Sequence, residues 1–112
     1  MRYKVVLVPF PFDDLSGSKV RPAVCLTDAV GPHRHVVIAF ITSAVPLTLE
    51  PTDVLLDSQN ADFTGTGLRV RSALRLHRMV TVSATIIQRQ LGVLTPNLQA
   101  QVQQRLLTLF GL

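Results

Sequence analysis

Residues 8–26 read VPFPFDDLSGSKVRPAVCL. Two apolar segments flank a polar loop, a layout that favours strands over a helix. Tyr3 to Val8 leads into it as a valine-rich run suited to a pleated surface. Pro9 and Pro11 lack an N–H donor, so neither can continue a central strand. Phe10 to Val20 therefore reads as an irregular loop, with Gly17 able to take a positive φ. Arg21 to Leu26 restarts a strand, and Pro22 keeps the backbone of Arg21 extended.

The same alternation continues outward. Arg34 to Thr42 is a further strand after a Gly31-Pro32 turn, and Asp53 to Leu56, Leu68 to Leu76 and Leu91 to Leu94 follow. Ser83 to Ile87 reads as a short turn or helix. The end of the chain changes period. Thr95 is an N-cap, Pro96 occupies the first helical position, and Leu98, Val102, Leu106 and Leu109 recur at helical spacing before Gly111. Many short strands with one C-terminal helix predict a mainly β fold, a small and strongly bent sheet or barrel.

The 112 residues suit a single domain spanning 1–112, and 47% hydrophobic residues argue against disorder. With 5% aromatics and no Trp, the core must rest on Val, Leu and Ile. The net charge is +4, but all seven acids lie in residues 1–62, while residues 63–112 carry six arginines and no acid. That half, at +6, predicts a polyanionic partner; the plainer reading is a basic solvated face. Cys25 stands alone, so no intrachain disulfide forms, and its apolar neighbours suggest a small buried hydrophobe in a reducing compartment. The start, MRYKVVLVPFPF, is too short and too interrupted by proline for a signal peptide. No apolar run reaches the roughly 18 residues of a membrane helix. The expectation is a cytoplasmic protein with no membrane partner.

Several residue types bear chemistry. A guanidinium fixed at Arg21 can bind phosphate or stabilise a pentacoordinate phosphorus; alternatively it pairs with Asp13 or Asp14 across the loop. The hydroxyls of Thr42 and Ser43, at a strand end, can bond a phosphate oxygen or simply turn the chain. Across residues 68–79, LRVRSALRLHRM, strand alternation puts Arg69, Arg71, Ala73, Arg75 and His77 on one side, with Val70, Leu74 and Leu76 on the other. Such a cationic face makes a footprint for a phosphate backbone. His77 adds a group that exchanges protons near neutral pH. His33, His35 and His77 lack ligand-spaced Cys or carboxylate neighbours, and no P-loop, GxSxG or paired-carboxylate signature occurs, so no metal or other cofactor is expected.

In order, VVLVPFPF, DLSGSKVRPAV, AFITS, DVLLD, SALRLHRM, LGVLTP and the closing helix resemble the MazF/PemK family of toxin endoribonucleases over nearly the whole chain. The resemblance implies an SH3-like β-barrel, a homodimer, and neutralisation by an antitoxin protein, for which an acidic segment suits the arginine-rich half. It also implies sequence-selective, metal-independent cleavage of single-stranded RNA, leaving a 2′,3′-cyclic phosphate and a 5′-hydroxyl. By position, Arg21 and Thr42 correspond to the family's catalytic arginine and threonine, and Arg75 to an arginine implicated in some members. Ser18, Lys19, Ser43, Arg69, Arg71 and Arg78 are then RNA contacts, and the loop Asp13 to Val20 lies over the RNA groove.

Two positions depart from the family pattern. Tyr3-Lys4 stands where Gly-Asp or Gly-Glu is common, and Arg75-Leu76-His77 where Arg-x-Asp is frequent. Metal-free cleavage requires a base, an acid and cationic charge stabilisation. Arginine supplies the last but is a poor proton shuttle, whereas an ordinary imidazole titrates near about 6.5. His77 is thus the candidate acid or base, with Arg21 and Arg75 stabilising charge and Thr42 orienting the phosphate. The alternative is a non-catalytic barrel of the same fold that binds RNA or inhibits DNA gyrase. Gyrase poisons of this fold bind through exposed apolar groups on the terminal helix, whereas LLTLFGL reads here as mostly core.

Overall fold

The computed structural model describes residues 1–10 and 19–112. The expectations placed on the loop at 11–18, including Gly17, Asp13, Asp14 and the RNA contact Ser18, lie outside the described residues. Six strands form one antiparallel sheet: β1 (Lys4–Pro9), β2 (Val20–Cys25), β3 (His35–Thr42), β4 (Asp53–Leu56), β5 (Ser72–Ser83) and β6 (Arg89–Val93). They lie in the order β4-β5-β3-β2-β1-β6, curled into a half-barrel, and helix α1 (Pro96–Phe110) closes the chain. This is the mainly β architecture with a C-terminal helix that the alternation implies.

Cross-strand register assigns the two faces. Val5, Val24, Ala39, Ile41, Leu74 and Val54 share the face that packs against Leu98 and Val102 of α1. Val6, Val8, Ala23, Cys25, Val36 and Ile38 form a second buried cluster on the opposite face. Burial pushes the Cys25 thiol pKa above its ordinary value. The helix is capped as its ends predict: Thr95 Oγ1 accepts the Leu98 N–H at 3.4 Å, and Gly111 takes φ 68°. Among the described residues no helix is long and apolar enough to cross a membrane.

Several details differ from the sequence reading. Leu68 to Leu76 is not one strand. β5 begins at Ser72, because β4 supplies partners only from Leu56↔Ser72 and β3 only from Thr42↔Ala73. Residues 68–71 bond locally instead: the Leu68 N–H donates to Thr66 Oγ1 (3.2 Å), and Ser72 Oγ donates to the Val70 carbonyl (2.9 Å). Val70, expected on the buried side, is 56% exposed. At the helix end Leu106 and Leu109 pack on the core, but Leu107, Phe110 and Leu112 are exposed, so LLTLFGL is core only in part.

A 3-10 helix at Ala61–Thr66, absent from the sequence reading, presses against β6. The contact needs glycine: a Cβ on Gly92 would stand 2.1 Å from the Gly65 carbonyl oxygen. The obstacle is backbone on both sides, so neither segment can yield by changing a rotamer. Gly92→Ala is expected to destabilise by about 3 kcal/mol. Gly31→Ala meets open space at φ 75° and should cost only the left-handed backbone penalty, about 1 kcal/mol. Urea denaturation of the two variants checks the ranking.

Candidate active site

The ladder between β2 and β3 ends at Ala23↔Phe40. Pro22, next on β2, has no N–H to extend it. Two residues beyond that pair stand Arg21 on β2 and Thr42 on β3. On the other side of β3, Phe40 pairs with Arg75 and Thr42 with Ala73. Paired residues point the same way, so Arg21, Thr42 and Arg75 rise from one face of three adjacent strands. They converge on a cavity of about 340 Å³, which Ser43, Arg69 and Arg78 also line.

Each side chain has a local reason for its position. Arg21 is exposed and, among the described residues, makes no ion pair. The proposed alternative partners Asp13 and Asp14 lie outside the described residues. Thr42 Oγ1 accepts the Ala44 N–H at 3.1 Å, which turns the chain as the plainer reading foresees. Its O–H remains a donor, so the turn and a role at the cavity are compatible. Phe10 and Phe40 meet edge-to-face at 5.0 Å between ring centroids on the cavity wall.

A bulge re-aims the basic residues of β5. Ala39 pairs with Met79 while Phe40 pairs with Arg75, so Leu76, His77 and Arg78 intervene without a partner on β3. Arg78 reaches the cavity; His77 does not line it. Arg75 instead shares a carboxylate with His77. Arg75 Nε donates to Asp53 Oδ1 at 3.0 Å, and His77 Nδ1 stands 3.9 Å from the same oxygen. Four arginines and no carboxylate line the cavity among the described residues, an arrangement that favours an anionic ligand.

A profile described as PemK-like, MazF-like toxin of type II toxin-antitoxin system matches residues 1–110. The chain belongs to that toxin family. Solved structures resemble this MazF/PemK-like chain over almost its whole length. A Mycobacterium tuberculosis toxin, MazF-mt6, is 24% identical with a TM-score of 0.72, covering 97% of either chain. An endoribonuclease in complex with its cognate antitoxin, from Mycobacterial species, is 18% identical with a TM-score of 0.72, covering 100% of this chain and 95% of that one. A second endoribonuclease from Mycobacterial species is 18% identical with a TM-score of 0.69, covering 100% and 91%. At such identities the likeness concerns the fold. No curated protein matches the chain.

In this MazF/PemK-like toxin the residues singled out from sequence divide by position. Arg21, Thr42, Ser43, Arg69, Arg75 and Arg78 come together at the cavity. Lys19 and Arg71 are exposed and outside its lining, although the Lys19 carbonyl accepts the Phe10 N–H at 3.0 Å beside it. Arg71 belongs to the same non-strand segment as Arg69, which does line the cavity. In sequence Asp53 is simply the first residue of a short apolar strand; the register Asp53↔Arg75 gives it a basic partner. Among the described residues no three His, Cys, Asp or Glu side chains are grouped to hold a metal ion.

Proposed function

We propose that this toxin-family chain is a metal-independent endoribonuclease that cuts single-stranded RNA and thereby inhibits translation and growth. The observation that carries the reading is the convergence of Arg21, Thr42 and Arg75, from three neighbouring strands, on one arginine-lined cavity. The solved endoribonucleases of the same fold support the reaction class.

The reaction that suits these groups is internal transesterification. A base takes the 2′-OH proton, the 2′-oxygen attacks the adjacent phosphorus, and the P–O5′ bond breaks. A proton delivered to the leaving oxygen gives the 5′-hydroxyl, and the other fragment ends in a 2′,3′-cyclic phosphate. Arg21 and Arg75 stabilise the additional negative charge on phosphorus, and the Thr42 hydroxyl orients a non-bridging oxygen. His77 exchanges the protons. Arg69, Arg71, Arg78, Ser43, Lys19 and Ser18 contact the flanking RNA. The enzyme acts in the cytoplasm as a homodimer. A cognate antitoxin with an acidic segment occupies the arginine-rich face, a partnership supported by the neighbour solved with its antitoxin.

The test is incubation of the purified protein with a long single-stranded RNA in EDTA, followed by mapping of fragment ends. Discrete cuts bearing cyclic phosphate and 5′-hydroxyl ends are expected. Intact RNA from folded protein would point instead to a binder. The exposed Leu107, Phe110 and Leu112 at the end of α1 favour a protein target in that case, and a gyrase supercoiling assay would examine it.

A further inference from the structure

We propose that Asp53, a carboxylate outside the cavity lining, is a positioning residue that aims Arg75 at the reacting phosphate. The inference rests on the nuclease reading for its effect on rate, and on geometry alone for its effect on Arg75.

The Asp53 side chain is 0% exposed, that of Arg75 22%, and that of His77 39%. A buried carboxylate is tolerated only when its oxygens are bonded, and both are. Oδ2 accepts the Glu50 N–H at 2.8 Å, and Oδ1 accepts Arg75 Nε at 3.0 Å. The backbone of Asp53 is fixed as well: its N–H donates to the Glu50 carbonyl at 3.0 Å, and its carbonyl accepts Arg105 Nε from α1 at 3.4 Å. Asp53 is therefore a rigid acceptor tied to the core on one side and to the site on the other.

The choice of nitrogen matters. A guanidinium has five N–H donors in a planar fork. Engaging Nε orients the plane from behind and leaves the Nη groups for another acceptor. Because Arg75 also lines the cavity, that acceptor is a phosphate oxygen in the proposed reaction. An arginine free to rotate would have to be ordered at each turnover, and fixing it in advance removes that cost.

Asp53→Asn keeps the shape but removes the charge and makes one terminal atom a donor. It is expected to lower kcat about tenfold, with KM within about twofold. In an Arg75→Ala background the same substitution should cost less than about twofold, because its effect acts through Arg75. A merely structural Asp53 would give costs that multiply, and that outcome overturns the proposal. A second readout needs neither variant nor activity. In 15N spectra of the wild-type protein, the Arg75 Nε–H should exchange with solvent much more slowly than that of Arg78. Equal exchange overturns the proposal even if Asp53→Asn fails to fold. Should the wild-type chain cut no RNA, the nuclease reading falls, while exchange of Arg75 Nε–H still decides the positioning.

Discussion

Arg21→Ala is expected to lower the RNA-cleavage rate about 10²–10³-fold, with a melting temperature within about 3 °C of the wild type. The two halves of that result have separate causes. Arg21 is exposed and makes no ion pair among the described residues, so its removal leaves no buried charge stranded. The backbone around it is held by the β1–β2 register, Val8↔Arg21, and by the proline that follows; alanine accepts the same extended geometry. The rate loss comes from the transition state. Phosphorus gains negative charge as the 2′-oxygen adds, and a preset guanidinium answers it without reorganising. Arg21→Lys should recover only part of the rate, because an ammonium cannot match two phosphate oxygens in a fork. Gel-resolved cleavage in EDTA, beside thermal melts, checks each value. Growth inhibition in cells should vanish in parallel. A variant that keeps its toxicity while losing cleavage would favour the protein-binding alternative.

The parts of this molecule legible in sequence are those governed by local chemistry. Pro9 ends β1, Thr95-Pro96 starts α1, Gly31-Pro32 turns the chain before β3, and alternation marks β2 and β3; each follows from one or two residues and their neighbours. The resemblance implies that Arg21 and Thr42 share one site, and register explains why both line one cavity. What could not be read depends on contacts between distant segments. The bulge at Leu76–Arg78 has no proline or glycine to mark it and arises where β3 pairs on both sides of it. Alternation alone therefore put Arg69, Arg71, Arg75 and His77 on one continuous face, whereas Arg69 reaches the cavity from a bend and His77 projects from the bulge. Asp53 escaped for the same reason. Twenty-two residues separate it from Arg75, and nothing near it in the chain announces a basic partner. Gly92 likewise reads as an ordinary glycine until the 3-10 helix is laid against it.

His77→Asn is expected to cost on the order of 10²-fold in cleavage rate, a loss distinct in kind from that of Arg21→Ala. Asparagine retains a polar side chain of similar reach and cannot exchange a proton near neutrality, so the substitution isolates proton transfer from charge and contact. The ring sits where such a role is chemically reasonable. It projects from the β5 bulge, half-exposed, with Nδ1 3.9 Å from the buried Asp53 carboxylate. That contact turns Nδ1 toward Asp53 and leaves Nε2 for exchange with substrate. His77 lies outside the cavity lining, so a proton-transfer role requires the reacting phosphate to sit at the Arg75 side of the cavity, next to the bulge. The pH–rate profile separates the possibilities. If the ring carries the proton, the wild-type profile should contain a pH-dependent limb that is lost in His77→Asn. Loss of rate with an unchanged profile would make His77 an RNA contact and not a proton carrier. An unchanged rate would confine the chemistry to Arg21, Thr42 and Arg75, and would require the protons to move through water.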